Sequence, residues 1–208
     1  MRSLLLQCAD GLPYREMLRV THDRHSRYAA RWGMSFWWML GKRERIHSWD
    51  KFRWAFEALR AGYDYVMYLD ADAVIVNCEQ EPTAATYRPG FGLAQSQVPG
   101  GEPVHLQAGV FYLRNGAGVP EMLAELLRRQ PPIYEPLPLW WEDEQNEQTI
   151  LNRMAQESPW GQFFHIVDYR WNVISNHERG TSPVVLHLAG TVGLENRLQA
   201  LRQVCMGG

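Results

Sequence analysis

Residues 65–77 read YVMYLDADAVIVN: five residues without a charge, then two aspartates separated by one alanine, then a second apolar run. A continuous apolar run of this length fits a strand covered on both faces, as in a mostly parallel sheet with helices packed on each side. Ionised carboxylates in such surroundings are costly unless something compensates them. Residues i and i+2 of an extended segment point to the same side, so Asp70 and Asp72 can converge on one cation at the strand's end. Oxygen ligands suit Mg2+ or Mn2+, ions that in turn bridge diphosphate oxygens. A short Asp-X-Asp also arises where aspartates cap a turn or pair with arginines at a sheet edge. The apolar strand before this pair and the small apolar residues after it favour the cation. A second catalytic pattern competes, since residues 69–76 also resemble the aspartate loop of haloacid-dehalogenase-type phosphatases. That loop follows the first strand and carries Gly-Thr after its second aspartate, whereas this pair lies mid-chain and is followed by Ala73 and Val74.

Outward from this segment, apolar runs of strand length alternate with amphipathic stretches of helix length, the pattern of an α/β sheet. Leu4 to Cys8 reads as the first strand, and Asp10-Gly11-Leu12-Pro13 as a turn. A helix is expected from Thr21 to Trp32, closed by Gly33, followed by a strand from Met34 to Met39. Ser48 fits an N-cap, with Trp49, Phe52, Phe56 and Leu59 at helical spacing and Gly62 ending that helix. Further strands are expected at Ala73–Val76, Phe91–Ala94, Gly109–Leu113 and Pro183–Leu186. Pro120 suits the first turn of a helix whose Met122, Leu123, Leu126 and Leu127 share one side. Residues 130–139 hold four prolines and read as a loop or an extended crossing segment, and Glu144–Met154 reads as a helix. No repeat, low-complexity tract or linker divides the chain, so one domain over residues 1–208 is expected.

Composition narrows the class. A chain of 208 residues at 46% hydrophobic can bury one substantial core. Its formal net charge of −2 gives no basic field for nucleic acid or an anionic membrane. A nucleotide would have to be held locally. The three cysteines, Cys8, Cys78 and Cys205, are odd in number and form no CxxC pair, against a disulfide framework or a structural zinc site. Residues 1–8 lack the apolar core of a signal peptide, and no run approaches the ~20 residues of a membrane span. A soluble, cytoplasmic protein is the expectation, with a piece of a larger or anchored protein as the alternative.

Several segments in order resemble the GMA12/MNN10 galactosyl- and xylosyltransferase family, and more distantly the glycogenin-like and LgtC-like retaining transferases. They are residues 27–33 (RYAARWG), 49–52 (WDKF), 65–77, 106–115 (LQAGVFYLRN), 147–152 (EQTILN) and 187–190 (HLAG). Together they span residues 27 to 190. The resemblance implies a GT-A fold, an α/β domain with a mixed, mostly parallel central sheet flanked by helices and a Rossmann-like nucleotide-binding half. It implies a Mn2+ (or Mg2+) ion held by Asp70, Asp72 and His187. It also implies a nucleotide-sugar donor, UDP-sugar favoured and GDP-sugar possible, against Asp10, Lys51, Asp70, Ala71, Asp72, Ala108, Gly109 and Gly190. Glu147, Gln148 and Gln107 would face the transferred sugar, and Trp140 and Trp141 would offer aromatic platforms. Each position also has an ordinary structural role: a packed histidine, a solvated acidic helix, an exposed helix lysine, core tryptophans.

The sequence departs from the family at Glu147 (usually Asp), at Gln107 (usually Asn), and at residues 191–194, TVGL, where the glycogenin-like KPW is absent. Those changes leave the donor and its phosphate clamp open. The chain is short for the family, pointing to an acceptor region that is reduced or supplied by another protein. The implied reaction is transfer to a glycan or other hydroxyl acceptor, with retention by same-face attack. Inversion would need a carboxylate base such as Asp143, Glu144 or Asp168. A catalytically inactive nucleotide-sugar-binding module stands beside the phosphatase as an alternative.

Overall fold

The computed structural model describes residues 1–44, 46–95, 106–131, 147–174, 182–189 and 193–206. β1 (Ser3–Ala9) passes through α1 (Leu12–Arg31) to β2 (Ser35–Leu40), and then through α2 (Asp50–Arg60) to β3 (Tyr65–Leu69). β1 lies between β2 and β3 and pairs in parallel with both. β6 (Leu106–Arg114) runs antiparallel to β3 on one side and to β5 (Gly90–Gln95) on the other, and β7 (Phe164–Ile166) closes the far edge parallel to β5. The resulting six-stranded sheet, β2-β1-β3-β6-β5-β7, is mixed and mostly parallel, with β6 as its one reversed strand. A smaller sheet, β4-β9-β8, joins β4 (Ala73–Ile75) to β9 (Val185–His187) and β8 (Val173–Ile174). It carries the chain beyond the aspartates out of the main sheet.

The strands are apolar throughout because both faces are covered. Leu4, Leu6, Val66, Tyr68, Phe111 and Leu113 pack against Phe52 and Leu59 of α2 and against α3 (Val119–Arg128) and α4 (Glu147–Ala155). Alternate residues Leu5, Tyr65, Met67, Val110 and Tyr112 pack on the other face with Tyr28 and Ala29 of α1. Phe111 has ring centroids 4.8 Å from Tyr68, 5.7 Å from Phe52 and 5.2 Å from Phe91. That aromatic group fixes Tyr68, and with it the end of β3.

Several elements differ from the sequence expectations. α1 begins at Leu12, well before Thr21: Gly11 turns the chain with φ 83° and Pro13 sits in the first turn, where its missing N–H costs nothing. Ser48 does not cap α2. It lies within a 3-10 turn, His47–Trp49, and its buried Oγ has no partner, while Asp50 starts the helix and accepts the N–H groups of Arg43 and Glu44. β6 extends back to Leu106, and β9 runs to His187 in place of Pro183–Leu186. β7, β8 and α5 (Leu194–Met206) were not anticipated. α3 does bury Met122, Leu123, Leu126 and Leu127, as its spacing predicts. The proline-rich segment from residue 132, the start of the acidic stretch at Glu144 and the tryptophans Trp140 and Trp141 lie outside the described residues. Among the described residues, no helix is long and apolar enough to cross a membrane.

Candidate metal centre

β3 ends at Leu69, and Asp70 keeps one bond to β6 before the chain turns. The Asp70 N–H donates to Gly109 O of β6 (2.7 Å), and its carbonyl accepts from Ala73 N–H (3.0 Å), closing a turn around Ala71 and Asp72. The Asp72 carbonyl accepts from Leu188 N–H at 3.0 Å, which ties the turn to the end of β9. His187 thereby comes to lie over the aspartate pair. Its Nε2 is 3.4 Å from Asp72 Oδ1 and 4.0 Å from Asp70 Oδ2. One ligand atom from each of the three residues lies within 4.8 Å of the others.

The remaining polar atom of each residue is held by a neighbour. Tyr68 Oη donates to Asp70 Oδ1 at 2.6 Å and the Lys51 ammonium lies 3.3 Å from the same oxygen. Arg197 of α5 donates to Asp72 Oδ2 at 2.8 Å, and His187 Nδ1 sits 3.1 Å from Asn172 Oδ1. An imidazole that donates at Nδ1 presents Nε2 as a ligand, the usual outer-shell arrangement of a metal-binding histidine. Asp70 Oδ2, which also accepts from Lys51 Nζ at 3.4 Å, shares one small space with Asp72 Oδ1 and His187 Nε2, a space that exists because residue 109 is glycine. A Cβ there would lie 2.1 Å from His187 Cε1 and 2.8 Å from Asp70 Oδ2. Two carboxylate oxygens, one imidazole nitrogen and a space that a methyl group would fill together fit a divalent cation.

Electrostatics separates the two aspartates. Burial pushes Asp70 above the usual carboxylate range, against the pull of Lys51 and His187. Burial acts the same way on Asp72, but the adjacent His187 imidazole and the Arg197 guanidinium outweigh it and hold the carboxyl low. Lys51 is enclosed with a side chain 5% exposed, yet remains charged: burial opposes its charge, while Asp70 and Glu147, the latter 3.1 Å away, raise its pKa.

Behind the turn runs a buried relay. His25 Nε2 accepts from the Ile75 N–H (3.2 Å), so Nδ1 donates to Gln7 Oε1 (2.8 Å), and Gln7 Nε2 reaches the Asp70 carbonyl (3.4 Å). Burial, then Arg24 and His22, push the His25 pKa down to about 3. A neutral imidazole therefore supports the turn without adding a charge.

The three potential ligands open onto a cleft of about 300 Å3. Asp10, Lys51, Ala71, Gln107, Gly109, Glu147 and Gln148 line it with them. Ala108 does not line the cleft; it is buried behind it, its N–H donating to Gln148 Oε1 and its carbonyl accepting from Lys51 Nζ. Asp10 pairs with Arg15 at 3.1 Å at the cleft's edge. Gly190, Asp143 and Glu144 lie outside the described residues. Asp168 caps the 3-10 turn Tyr169–Asn172 and pairs with Arg170 at 2.8 Å, and it does not line the cleft. Sequence reasoning missed Tyr68, Asn172 and Arg197. Tyr68 carried a signal, since it shares the i, i+2 face with Asp70. Arg197, 125 residues from Asp72, carried none.

No family model matches the sequence, and no curated protein matches it. Solved structures do. A glycosyltransferase involved in glycosylation of the major capsid of PBCV-1 aligns over 98% of this chain and 100% of its own, with a TM-score of 0.71 at 14% identity. The glycosyltransferase GlyE of Streptococcus pneumoniae aligns over 99% of this chain, which spans 61% of GlyE, with a TM-score of 0.60 at 14% identity. A mutant Drosophila β-1,4-galactosyltransferase 7, solved with manganese, UDP-Gal and xylobiose, aligns over 91% of this chain and 72% of its own, with a TM-score of 0.50 at 14% identity. Likenesses at that identity establish architecture: the chain has the GT-A-like α/β fold of these glycosyltransferases, with the Asp70, Asp72 and His187 cluster just beyond the carboxyl end of β3.

Proposed function

We propose that this chain is a divalent-metal-dependent glycosyltransferase. It moves a hexose or pentose from a nucleotide diphosphate sugar, UDP-sugar ahead of GDP-sugar, to a hydroxyl of a glycan or other acceptor. The observation that carries the proposal is the convergence of Asp70 Oδ2, Asp72 Oδ1 and His187 Nε2 on one space. Open α/β sheets bind their ligands outside the carboxyl ends of strands, where these atoms lie. The neighbour crystallised with manganese and UDP-Gal supports the same class of donor and ion.

Asp70, Asp72 and His187 would hold the cation, which would supply neutralisation of the charge that grows on the departing diphosphate. The other residues bind and orient. Glu147, Gln148 and Gln107 take the sugar side of the cleft. Glu147 is ion-paired to Lys51 at 3.1 Å, which suits a carboxylate that accepts sugar hydroxyls better than one that attacks carbon. Retention follows from same-face attack. The acceptor oxygen bonds to the anomeric carbon as the carbon–phosphate oxygen bond breaks, and the leaving phosphate oxygen takes the acceptor's proton.

The test is a thermal-shift panel of UDP- and GDP-sugars with and without Mn2+, on wild type and Asp72→Asn, read beside release of nucleoside diphosphate. Stabilisation by one donor class is expected only with metal and only in wild type, by about 2.7 kcal/mol at a hundredfold excess over Kd. Donor binding without release would identify a binding module. Phosphate-ester hydrolysis with no donor affinity would identify a phosphatase.

A further inference from the structure

The turn that opens α2 forms one wall of the cleft, where His47, Ser48, Asp50 and Lys51 all border the space. Lys51 is engaged on Asp70 and Glu147. Asp50 is only half engaged. Its Oδ1 accepts the N–H groups of Arg43 at 2.8 Å and Glu44 at 2.5 Å, which holds the carboxylate in one orientation. Among the described residues, nothing donates to its Oδ2. Asp50 is 3% exposed, and burial pushes its carboxyl above the usual range although both N–H groups and His47 pull it down. The thiol of Cys8, which also lines the cleft, is pushed up to about 12, chiefly by burial, and the charges of Asp70 and Asp50 add to that shift. The Asp50 carboxylate therefore lies on the cleft side of its turn. The same turn carries a second unengaged oxygen, the buried Oγ of Ser48.

A poorly hydrated carboxylate with one oxygen on backbone donors and the other without a partner is an incomplete hydrogen-bond set, which native structures seldom leave without a purpose. An ionised carboxylate only accepts, so a donor must complete it. A phosphate in that place would be repelled, whereas a neutral hydroxyl gives its hydrogen at no charge cost. Position agrees with chemistry. Lys51, the next residue, reaches across to Glu147, so this wall serves the end of the cleft to which the sugar is assigned above.

We propose that Asp50 Oδ2 accepts a hydroxyl of the transferred sugar and thereby selects donors that carry that hydroxyl. The inference rests on the glycosyltransferase proposal above and deepens it. A site built to bond a hydroxyl rejects the analogue lacking it strongly, because its own polar group is then left unpaired. The backbone N–H groups of Arg43 and Glu44 hold the carboxylate ready, so little ordering remains to be done when the sugar enters.

Calorimetric titration at saturating Mn2+ tests this on wild type, Asp50→Asn and Asp50→Ser, with circular dichroism confirming the fold of each variant. The probes are UDP-glucose, UDP-galactose and GDP-mannose, each beside its parent diphosphate, and then the 2-, 3-, 4- and 6-deoxy forms of whichever sugar binds wild type best. Asparagine keeps an oxygen for the two backbone N–H groups and puts a donor where the accepting oxygen stood. Serine withdraws that oxygen altogether. Both variants should bind the parent diphosphate within about threefold of wild type and the nucleotide sugar about 10- to 100-fold more weakly, the size of a lost hydrogen bond to a charged group. On wild type one deoxy form should show a loss of the same size, and in the variants that gap should close. An equal fall for diphosphate and nucleotide sugar would overturn the assignment and leave Asp50 as a brace for residues 43 and 44. Unchanged sugar affinity, no deoxy form that loses affinity on wild type, or a deoxy gap that persists in the variants would also overturn it while the glycosyltransferase proposal stands. Wild type that binds no nucleotide sugar with Mn2+ would sink that proposal, and this one with it.

Discussion

Asn172 Oδ1 lies 3.1 Å from His187 Nδ1, and this contact decides which nitrogen of the imidazole faces the two aspartates. Both side chains are buried. Asn172→Ala removes the acceptor that selects the Nδ1–H tautomer. Loss of such an outer-shell partner weakens metal affinity about 10- to 100-fold, which a Mn2+ titration will read directly. An unchanged Kd would show that His187 needs no such orientation.

Gly109 leaves the space in which the three potential ligands meet. Gly109→Ala brings a methyl carbon within 2.1 Å of His187 Cε1, so the imidazole must move. The expected outcome is loss of metal-dependent donor stabilisation with the far-ultraviolet circular dichroism of wild type. Retained Mn2+ binding would mean that the histidine is not a ligand.

Lys51, itself buried, pairs with both Asp70 and Glu147. Lys51→Met leaves two carboxylates facing each other without a counter-charge, and breaking a buried pair from one side costs about 3 kcal/mol or more. The double variant Lys51→Met with Glu147→Gln removes one of the stranded charges and should recover a large part of that loss. Urea unfolding of the two variants checks the difference. Equal stabilities would show that Glu147 does not feel Lys51.

His25 sets a pH dependence of stability. Its folded pKa of about 3 lies below the ordinary value of 6.5, so the unfolded chain takes up a proton that the folded chain refuses. The stabilisation is complete above pH 6.5 and declines as pH falls towards 3, by up to about 1.4 kcal/mol per unit. Denaturant unfolding at pH 7, 5.5 and 4.5 should show a shallower decline in His25→Gln than in wild type. His165, also buried and lowered to about 4, remains in both proteins, so the comparison isolates His25. Parallel declines would disprove the assignment.

Periodicity made the layers of the fold legible. The runs at Leu4–Cys8 and Tyr65–Leu69 are apolar at every position but one, Gln7, because each face of the sheet is covered. α3 announced itself by Pro120 and four leucine and methionine residues on one side. The aspartate pair was legible for the same reason, since charge at the end of a buried run must be compensated. Boundaries governed by backbone geometry were less so. α1 starts nine residues before Thr21 because Pro13 after a left-handed Gly11 opens a helix as readily as it ends a turn.

The sequence by itself determined an α/β sheet, a carboxylate pair at the end of a central strand, and a histidine ending a late strand. Only the tertiary structure decided that Arg197 meets Asp72, that Asn172 turns His187, and that Glu147 holds Lys51. Burial and periodicity are local, so a single chain records them position by position. An ion pair between residues 125 apart depends on how α5 settles against α1, and no spacing along the chain encodes that contact.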